Sequence, residues 1–508
     1  MHWNKLNHDE INSRIKTAIS QNINYRETPL LGIPGSFLDE EEFYPEAPFL
    51  DDSPFLATFV NNPNHIGCHT LTKDKSEPFF RGTQQLELEV IRICAEEILQ
   101  GKKDEQDGYI SPGGTEANLQ AIWIYRNFYQ KEHDAKINEI ALIYSEDSHY
   151  SMPKAANILG LNQYVVNVNF ETRKIDLNDF DQKIKLAKEK GVKYFIIIQN
   201  MATTMFGSVD KIEEVTNYLN NNKINYKLHI DAAFGGFIYP FTNQNNLLNF
   251  KNENITSVTL DGHKMLQTPY GTGIFLVRKG YMKYGLTDEA KYVSGKDYTV
   301  CGSRSGANAI SIWMTLMTHG SMGWTVKMDH LLDKTSSICS KLDKLDIEYF
   351  REPMVNIITI KAKYILVGIG ELEDDIKQYV TDKNLNDHII FAGFRKDIPE
   401  LLPELDLFMF TSNNEPTGGV LLESYACKVP IVAANAGGIP EVIVDNETGL
   451  LAEVGNPVDF ADKVELLMSD SLLQNRLVKN GYQYLKDNFT KDVISRKFFE
   501  RIKHIVNS

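Results

Sequence analysis

Apolar and polar positions along the chain follow two successive rhythms. The first hundred residues read as mainly helical, and Leu86 to Leu99 is the clearest amphipathic stretch. From about residue 105, short apolar runs alternate with helical segments. Runs at 141–145 (ALIYS), 164–169 (YVVNVN), 194–200 (YFIIIQN), 227–234 (KLHIDAAF), 257–261 (SVTLD) and 272–278 (TGIFLVR) are the expected strands. Their near-continuous apolar character predicts a largely parallel sheet buried on both faces. A helical stretch of roughly 306–345 follows. The second α/β rhythm begins at 364–369 (YILVGI), continues through 388–393, 407–411 and 431–434, and ends in helices running to Ser508.

At 508 residues the chain exceeds one ordinary core. The rhythms divide it into a helical segment 1–104, an α/β domain 105–362 and a second α/β domain 363–508. There is no internal repeat and no Gly/Ser/Pro linker near 350–364, so the junction rests on pattern alone. Charge narrows the partners: 68 acidic against 53 basic residues leave a net charge of -15, which argues against nucleic acid or an anionic membrane surface. The five cysteines (Cys68, Cys94, Cys301, Cys339, Cys427) are scattered, without CxxC or Cys/His spacing, so neither a disulfide framework nor a metal site is expected. The start of the sequence lacks the apolar core of a signal peptide, and no apolar run is long enough to span a bilayer. A cytoplasmic protein is the expectation.

Four motifs lie where an open α/β sheet places its ligands, at the carboxyl ends of strands. Gly113-Gly114-Thr115-Glu116-Ala117-Asn118 opens a helix; its glycines permit close approach, Thr115 offers a hydroxyl, and the helix start attracts an anion such as phosphate. Alone it is equally a tight turn and cap. His149, within Asp147-Ser148-His149-Tyr150-Ser151, carries a flat imidazole able to stack on an aromatic ring. His229-Ile230-Asp231-Ala232-Ala233 ends a strand in a carboxylate that needs a cationic or hydrogen-bonding partner, with small Ala233 leaving room for a ring. Ser257-Val258-Thr259-Leu260-Asp261-Gly262-His263-Lys264 ends a strand in lysine. Burying an ammonium is expensive, and desolvation favours the neutral amine that forms an imine.

In this order the motifs resemble the group II amino-acid decarboxylases of the fold-type-I superfamily that uses pyridoxal 5'-phosphate (PLP), from near residue 30 to about 362. The resemblance implies that Lys264 carries the cofactor as a Schiff base, that Asp231 pairs with the ring nitrogen and that His149 stacks on the ring. It implies phosphate contacts from Gly114, Thr115, Ser148 and His263, with Thr203 near the ring edge. Gly302-Ser303-Arg304-Ser305-Gly306 matches a further family motif, after a loop that covers the neighbouring subunit's site; a homodimer is implied. Tyr292 and Tyr298 are alternatives on that loop for protonating the carbon that loses CO2, and Asn64 to His69 lie where relatives line the substrate pocket. His263-Lys264 and the GSRSG segment favour decarboxylation of an L-amino acid over transamination. Histidine, aromatic and acidic substrates all have relatives, and no residue decides among them.

In the second rhythm, Glu415-Pro416-Thr417-Gly418-Gly419 through Glu423 sets two glutamates on a glycine turn leading into a helix, followed by Asn435-Ala436-Gly437-Gly438. Residues 364–508 resemble the Rossmann-like, nucleotide-sugar-binding C-terminal domain of retaining GT-B glycosyltransferases. The resemblance implies donor-sugar contact at Glu415, ribose contact at Glu423 and diphosphate contact near Gly418 and Gly419. That family's N-terminal acceptor domain and basic diphosphate contacts have no counterpart in the pattern. The decarboxylase pattern in turn switches family between Ile360 and Tyr364, before the small C-terminal domain of its relatives, as a fusion or an assembled chimera would. Glycosyl transfer, or PLP binding without activity, are the alternatives to decarboxylation.

Overall fold

The apolar runs of the first rhythm pair into one seven-stranded sheet in the computed structural model. The structure describes residues 2–22, 80–243, 245–286, 296–344, 347–361 and 364–507, apart from 384, 387 and 417. The strands are β1 (Gln106–Ser111), β2 (Ile140–Ser145), β3 (Asn162–Val166), β4 (Tyr194–Asn200), β5 (Asn225–Ala232), β6 (Ile255–Asp261) and β7 (Gly273–Arg278), in spatial order β1-β7-β6-β5-β4-β2-β3. Strands β2 to β6 pair in parallel, and β7 runs against both of its neighbours. The apolar pattern does not single out β1, which opens on Gln106, Asp107 and Gly108. β3 ends at Val166, opposite Ser145, rather than continuing to residue 169, because its partner β2 ends there.

Helices cover both sheet faces: α1 (His8–Gln21), α2 (Arg81–Arg92, continuing as a π-helical turn Ile93–Ile98), α3 (Gly114–His133), α4 (Ser151–Leu159), α5 (Leu177–Glu189), α6 (Ile212–Asn221) and α7 (Gly306–Lys344). α7 breaks at Gly320 (φ 61°, ψ 174°), where an added Cβ would stand 2.7 Å from the Lys5 backbone nitrogen. One core gathers Leu86, Ile197, Ile230, Leu260 and Trp313; the other gathers Ile122, Tyr125 and Tyr129 of α3 with Ile196, Ile198 and Phe275. Strand residues alternate between the two cores, so the runs read as continuously apolar. Two neighbouring strands depart from this. On β5 and β6 the first core receives Leu228, Ile230, Val258 and Leu260, while His229, Asp231, Ser257, Thr259 and Asp261 form a buried polar stripe on the α3 side. Register sets His229 opposite Ser257 and Asp231 opposite Thr259.

The chain divides into two compact units, Met1–Ala362 and Lys363–Ser508. The first closes with a short antiparallel pair, β8 (Tyr349–Phe350) and β9 (Thr359–Ile360). In the second, β10 (Tyr364–Val367) pairs in parallel with β11 (Ile389–Gly393), and β12 (Phe408–Phe410), β13 (Ile431–Ala434) and β14 (Leu450–Ala452) form a separate parallel sheet. Its helices are α8 (Glu373–Asp382), α9 (Gly419–Cys427), α10 (Pro457–Ser469), α11 (Ser471–Asn488) and α12 (Lys491–Asn507). Leu421, Tyr425, Val432, Ile439 and Leu477 fill its core. Among the described residues no helix is long and apolar enough to cross a membrane.

The Arg304 side chain of the GSRSG segment is buried in an ion pair with Glu87 of α2, and also donates to the Ile110 carbonyl at 2.9 Å. Glu87 in turn accepts the Ile110 amide at 2.8 Å. Arg304→Met removes the guanidinium from that buried carboxylate and is expected to cost about 3–5 kcal/mol, whereas Arg304→Met with Glu87→Met costs less than Arg304→Met alone. Urea unfolding followed by tryptophan fluorescence measures this for the first unit alone, because Trp3, Trp123, Trp313 and Trp324 all lie there.

Candidate active site

The carboxyl ends of β1, β2, β4, β5 and β6 deliver their loops to one place, and the N-terminal end of α3 closes it. Asp231, the penultimate residue of β5, is 7% exposed. Its Oδ2 accepts the Asn118 side-chain amide at 2.9 Å and its Oδ1 accepts the Ala233 backbone amide at 3.1 Å. Both donors are neutral, and among the described residues Asp231 makes no ion pair. A buried carboxylate so held has room for a cation from a ligand.

His149 follows β2, half-buried. Its Nδ1 lies 3.0 Å from Ser151 Oγ, which also accepts from Asn118 Nδ2 at 3.0 Å. Burial pushes the His149 imidazole below its ordinary value; the Asp231 carboxylate opposes this, and the Lys264 and Lys154 ammonium groups reinforce it. A neutral, flat ring therefore stands within electrostatic reach of both Asp231 and Lys264. Ser148 is fixed by Asn200 at the end of β4, whose Nδ2 donates to Ser148 Oγ at 3.1 Å and to Asp210 Oδ2 at 2.9 Å. The Asn200 backbone amide also donates to Asp210 Oδ2, at 2.6 Å. Burial pushes the Asp210 carboxyl up to about 6, against the lowering effect of these bonds.

On the β6 side, Asp261 Oδ2 accepts the Gly114 amide at 3.1 Å and its Oδ1 lies 2.6 Å from His263 Nδ1. Burial raises the Asp261 carboxyl, while His263, the Gly114 amide and Lys264 lower it. Lys264 is half-buried on the turn after β6. An added Cβ on Gly114 would stand 3.2 Å from both Ala233 Cβ and Asp261 Oδ2, so glycine lets the helix start come this close. Of the helix-start residues assigned to a phosphate by resemblance, Gly114 thus spends its amide on Asp261, and Thr115 keeps a first-turn amide without an intrahelical acceptor. Thr203 has its hydroxyl 2.9 Å from Ser208 Oγ, in a turn joined to β5 by the Met201 amide on the Asp231 carbonyl at 2.8 Å. Tyr298 is half-buried against the α3 core, and its carbonyl accepts Gln120 Nε2 at 2.8 Å. Tyr292 and the segment Asn64 to His69 lie outside the described residues.

Asp231, His149, Ser148, Gly114, Ala233, His263 and Lys264 therefore converge, with Thr203 on an adjoining turn. This donor set fits PLP. It offers a buried carboxylate without an ion-pair partner among the described residues, a flat neutral imidazole, a primary amine, and helix-start and hydroxyl donors for an anion. Reading the motifs one by one missed Asn118, Ser151, Asn200 and Asp261, which hold these groups in place. The alternation Ser257-Val258-Thr259-Leu260-Asp261 was the available signal that one face of β6 is polar.

In the second unit, Glu415 Oε1 accepts the amide of Gly418, which caps α9 with φ 61°, at 3.1 Å. The Gly438 amide donates to the Glu415 carbonyl at 2.7 Å, and an added Cβ on Gly437 would meet that carbonyl oxygen at 2.4 Å. Gly419 and Glu423 are exposed on α9.

Residues 55–362 match the family model described as pyridoxal-dependent decarboxylase conserved domain, and 348–484 match glycosyl transferases group 1. A tryptophan decarboxylase of Clostridium sporogenes is 47% identical over 369 residues, covering 73% of this chain and 88% of that protein. A histidine decarboxylase of Vibrio campbellii is 31% identical over 319 residues, 60% of this chain and 77% of that protein. A solved L-methionine decarboxylase of Streptomyces sp. 590 superposes with a TM-score of 0.51 at 15% identity, over 69% of this chain and 83% of that one, a likeness of fold.

Asp210 gives the anchor of Ser148 a measurable pH signature. In the folded chain it keeps its proton up to about 6, against an ordinary 3.8. Its contribution to stability is therefore fully present below that ordinary value and is lost as pH rises through about 6. Asp210→Asn keeps an acceptor for Asn200 and removes this slope. Between pH 4 and 7, wild type is expected to lose up to about 3 kcal/mol relative to the variant, read as urea midpoints. Parallel profiles for the two proteins would contradict it.

Proposed function

We propose, for a chain that belongs to the pyridoxal-dependent decarboxylase family, an L-amino-acid substrate with a large aromatic side chain, tryptophan first. The reaction itself is the family's: loss of an amino acid's carboxylate as CO2, with PLP as cofactor. The observation that carries the substrate is the 47% identity to a tryptophan decarboxylase, against 31% to a histidine decarboxylase.

Bound here, PLP supplies an electron sink for the bond to the departing carboxylate. The protein's part follows from its own groups. Lys264 presents the primary amine on the turn after β6. Asp231, its carboxylate fixed by Asn118 and the Ala233 amide, would keep the ring nitrogen protonated. His149, held neutral by burial, would stack on the ring and keep water from that face. Thr115, Ser148 and His263 bind the phosphate, and Thr203 borders the ring edge. Tyr298, or Tyr292 outside the described residues, would return a proton to the carbon that loses CO2. A homodimer would be the functional unit.

A second reading concerns the other unit. The match at 348–484 and the Glu415–Gly418 turn favour a nucleotide-sugar site formed by Glu415, Gly418, Gly419 and Glu423. The proposal for that unit is nucleotide-sugar binding.

Purified protein with PLP is expected to release CO2 from L-tryptophan faster than from L-histidine or L-glutamate. Lys264→Ala is expected to lose about a thousandfold or more together with the imine absorbance band. A Lys264→Ala protein that keeps full activity sinks the lysine assignment, and equal rates on the three substrates sink the aromatic one. Light scattering on the same preparation is expected to give twice the chain mass. For the second unit, calorimetric titration with uridine diphosphate glucose is expected to give binding heat that Glu423→Ala abolishes; no heat with the wild type ends that reading.

A further inference from the structure

The polar stripe on β5 and β6 carries a hydrogen-bond chain with one direction. Asn118 donates through Nδ2 to Asp231 Oδ2 at 2.9 Å and to Ser151 Oγ at 3.0 Å, which commits both amide hydrogens. Its Oδ1 can only accept, and His229 Nε2 reaches it at 2.9 Å. That contact places the imidazole hydrogen on Nε2. Nδ1 of the neutral ring then accepts from Ser257 Oγ at 2.6 Å, and Ser257 Oγ accepts from the Tyr125 hydroxyl. Thr259 Oγ1, 3.2 Å from Nε2, is a second acceptor for the same hydrogen. Tyr125, Ser257, His229 and Asn118 are all at most 1% exposed. Burial pushes His229 down to about 3, with the Ser257 backbone opposing, so the ring stays neutral.

The chain branches at Asn118. Ser151 accepts from Asn118, so its own hydrogen is free for His149 Nδ1, 3.0 Å away. One amide orientation thus serves two groups: it turns N–H bonds towards the Asp231 carboxylate, and it leaves the Ser151 hydroxyl hydrogen for His149 Nδ1, which also accepts the Ser151 backbone amide at 3.3 Å, so that the His149 hydrogen lies on Nε2. The flipped amide would press Oδ1 against the Asp231 carboxylate, which has no hydrogen to offer. The Asp231 carboxylate selects this orientation from one end of the amide, and His229 secures it from the other, because only a donor at Nε2 suits Oδ1.

We propose that His229 is a positioning residue for decarboxylation: as the Nε2–H tautomer it locks the Asn118 amide, and through it both the Asp231 carboxylate and the His149 ring. The proposal rests on the reading that Asp231 and His149 face the cofactor ring.

Nitrogen NMR of histidine-labelled protein without PLP tests the tautomer directly. His229, assigned by the signal missing from His229→Gln, is expected as neutral Nε2–H, with Nδ1 unprotonated. A Nδ1–H or doubly protonated ring overturns the proposal. The second measurement compares His229→Gln, whose amide nitrogen stands in for Nε2, with His229→Asn, whose amide nitrogen stands in for Nδ1. PLP affinity by absorbance titration is expected within about threefold of wild type for Gln, and weakened about tenfold or more for Asn. Equal affinities for the two variants overturn it. Asp231→Asn separates the layers: unchanged PLP affinity there removes the Asp231 reading, whereas a loss there with equal His229 variants removes only the relay. If His229→Gln fails to fold by circular dichroism, the signal missing from His229→Asn assigns the ring, and the tautomer in wild type still decides.

Discussion

A negative charge buried at the end of a strand, with no ion-pair partner among the described residues, is the constraint that organises the first unit. An isolated carboxylate away from water is expensive, and Asp231 is kept there by amides alone. The amide that matters most comes from α3, so α3 must begin close enough to the sheet for Asn118, one turn in, to reach β5. Gly114 makes that approach possible, and its own amide holds the second strand-end carboxylate, Asp261. Two adjacent parallel strands thus end in acids, and the start of one helix serves both, in keeping with the affinity of a helix N-terminus for negative charge. Since only neutral donors hold Asp231, most of its charge remains available to a cationic partner.

That requirement reshapes the packing. A parallel sheet covered on both faces is most simply filled with apolar side chains, and β2, β4 and β7 are filled so. On β5 and β6 the same alternation brings His229, Asp231, Ser257, Thr259 and Asp261 to the α3 face. The face is tolerable because its polar atoms find partners: Tyr125 and Asn118, seven residues apart on α3, span two turns and meet the stripe at both ends. Each neutral bond contributes about 1 kcal/mol and each unmet one costs more. The stripe therefore stabilises only as a complete set, and a satisfied network of this kind also rigidifies the groups it holds.

How legible this was from sequence depends on the range of the interaction. The strand Tyr194–Asn200 matches its apolar run end to end, and the strand-end residues Asp231 and Lys264 stand out because charge interrupts a buried pattern. The turn-forming glycines before α3 announce a helix start. β1 was hidden because its first three residues are polar or glycine and its burial comes wholly from β7 and the helices around it. Asn118 and His229 were visible as letters, yet they lie 111 residues apart and meet only because β5 lies under α3. Asp261 reads as a motif spacer until the register of β6 and the position of Gly114 are known. Local pattern gives elements and strand ends; the partners of buried polar atoms require the topology.

The second unit shows the opposite arrangement of charge. Glu415 is not held by a distant helix but by the start of the helix it precedes, with its carboxylate on the Gly418 amide. That amide is one of those the glycosyltransferase resemblance offers to a diphosphate. A donor phosphate would have to displace the protein's own carboxylate there, losing a charge-assisted bond before gaining another. Gly437 and Gly438 pack on the Glu415 backbone and keep the residue where it is. An anion site already occupied by a tethered anion binds its ligand more weakly than an open one. In the first unit the buried carboxylate waits for a cation, whereas in the second the glutamate already satisfies the amide its ligand would need. The asymmetry favours the first unit as the seat of chemistry.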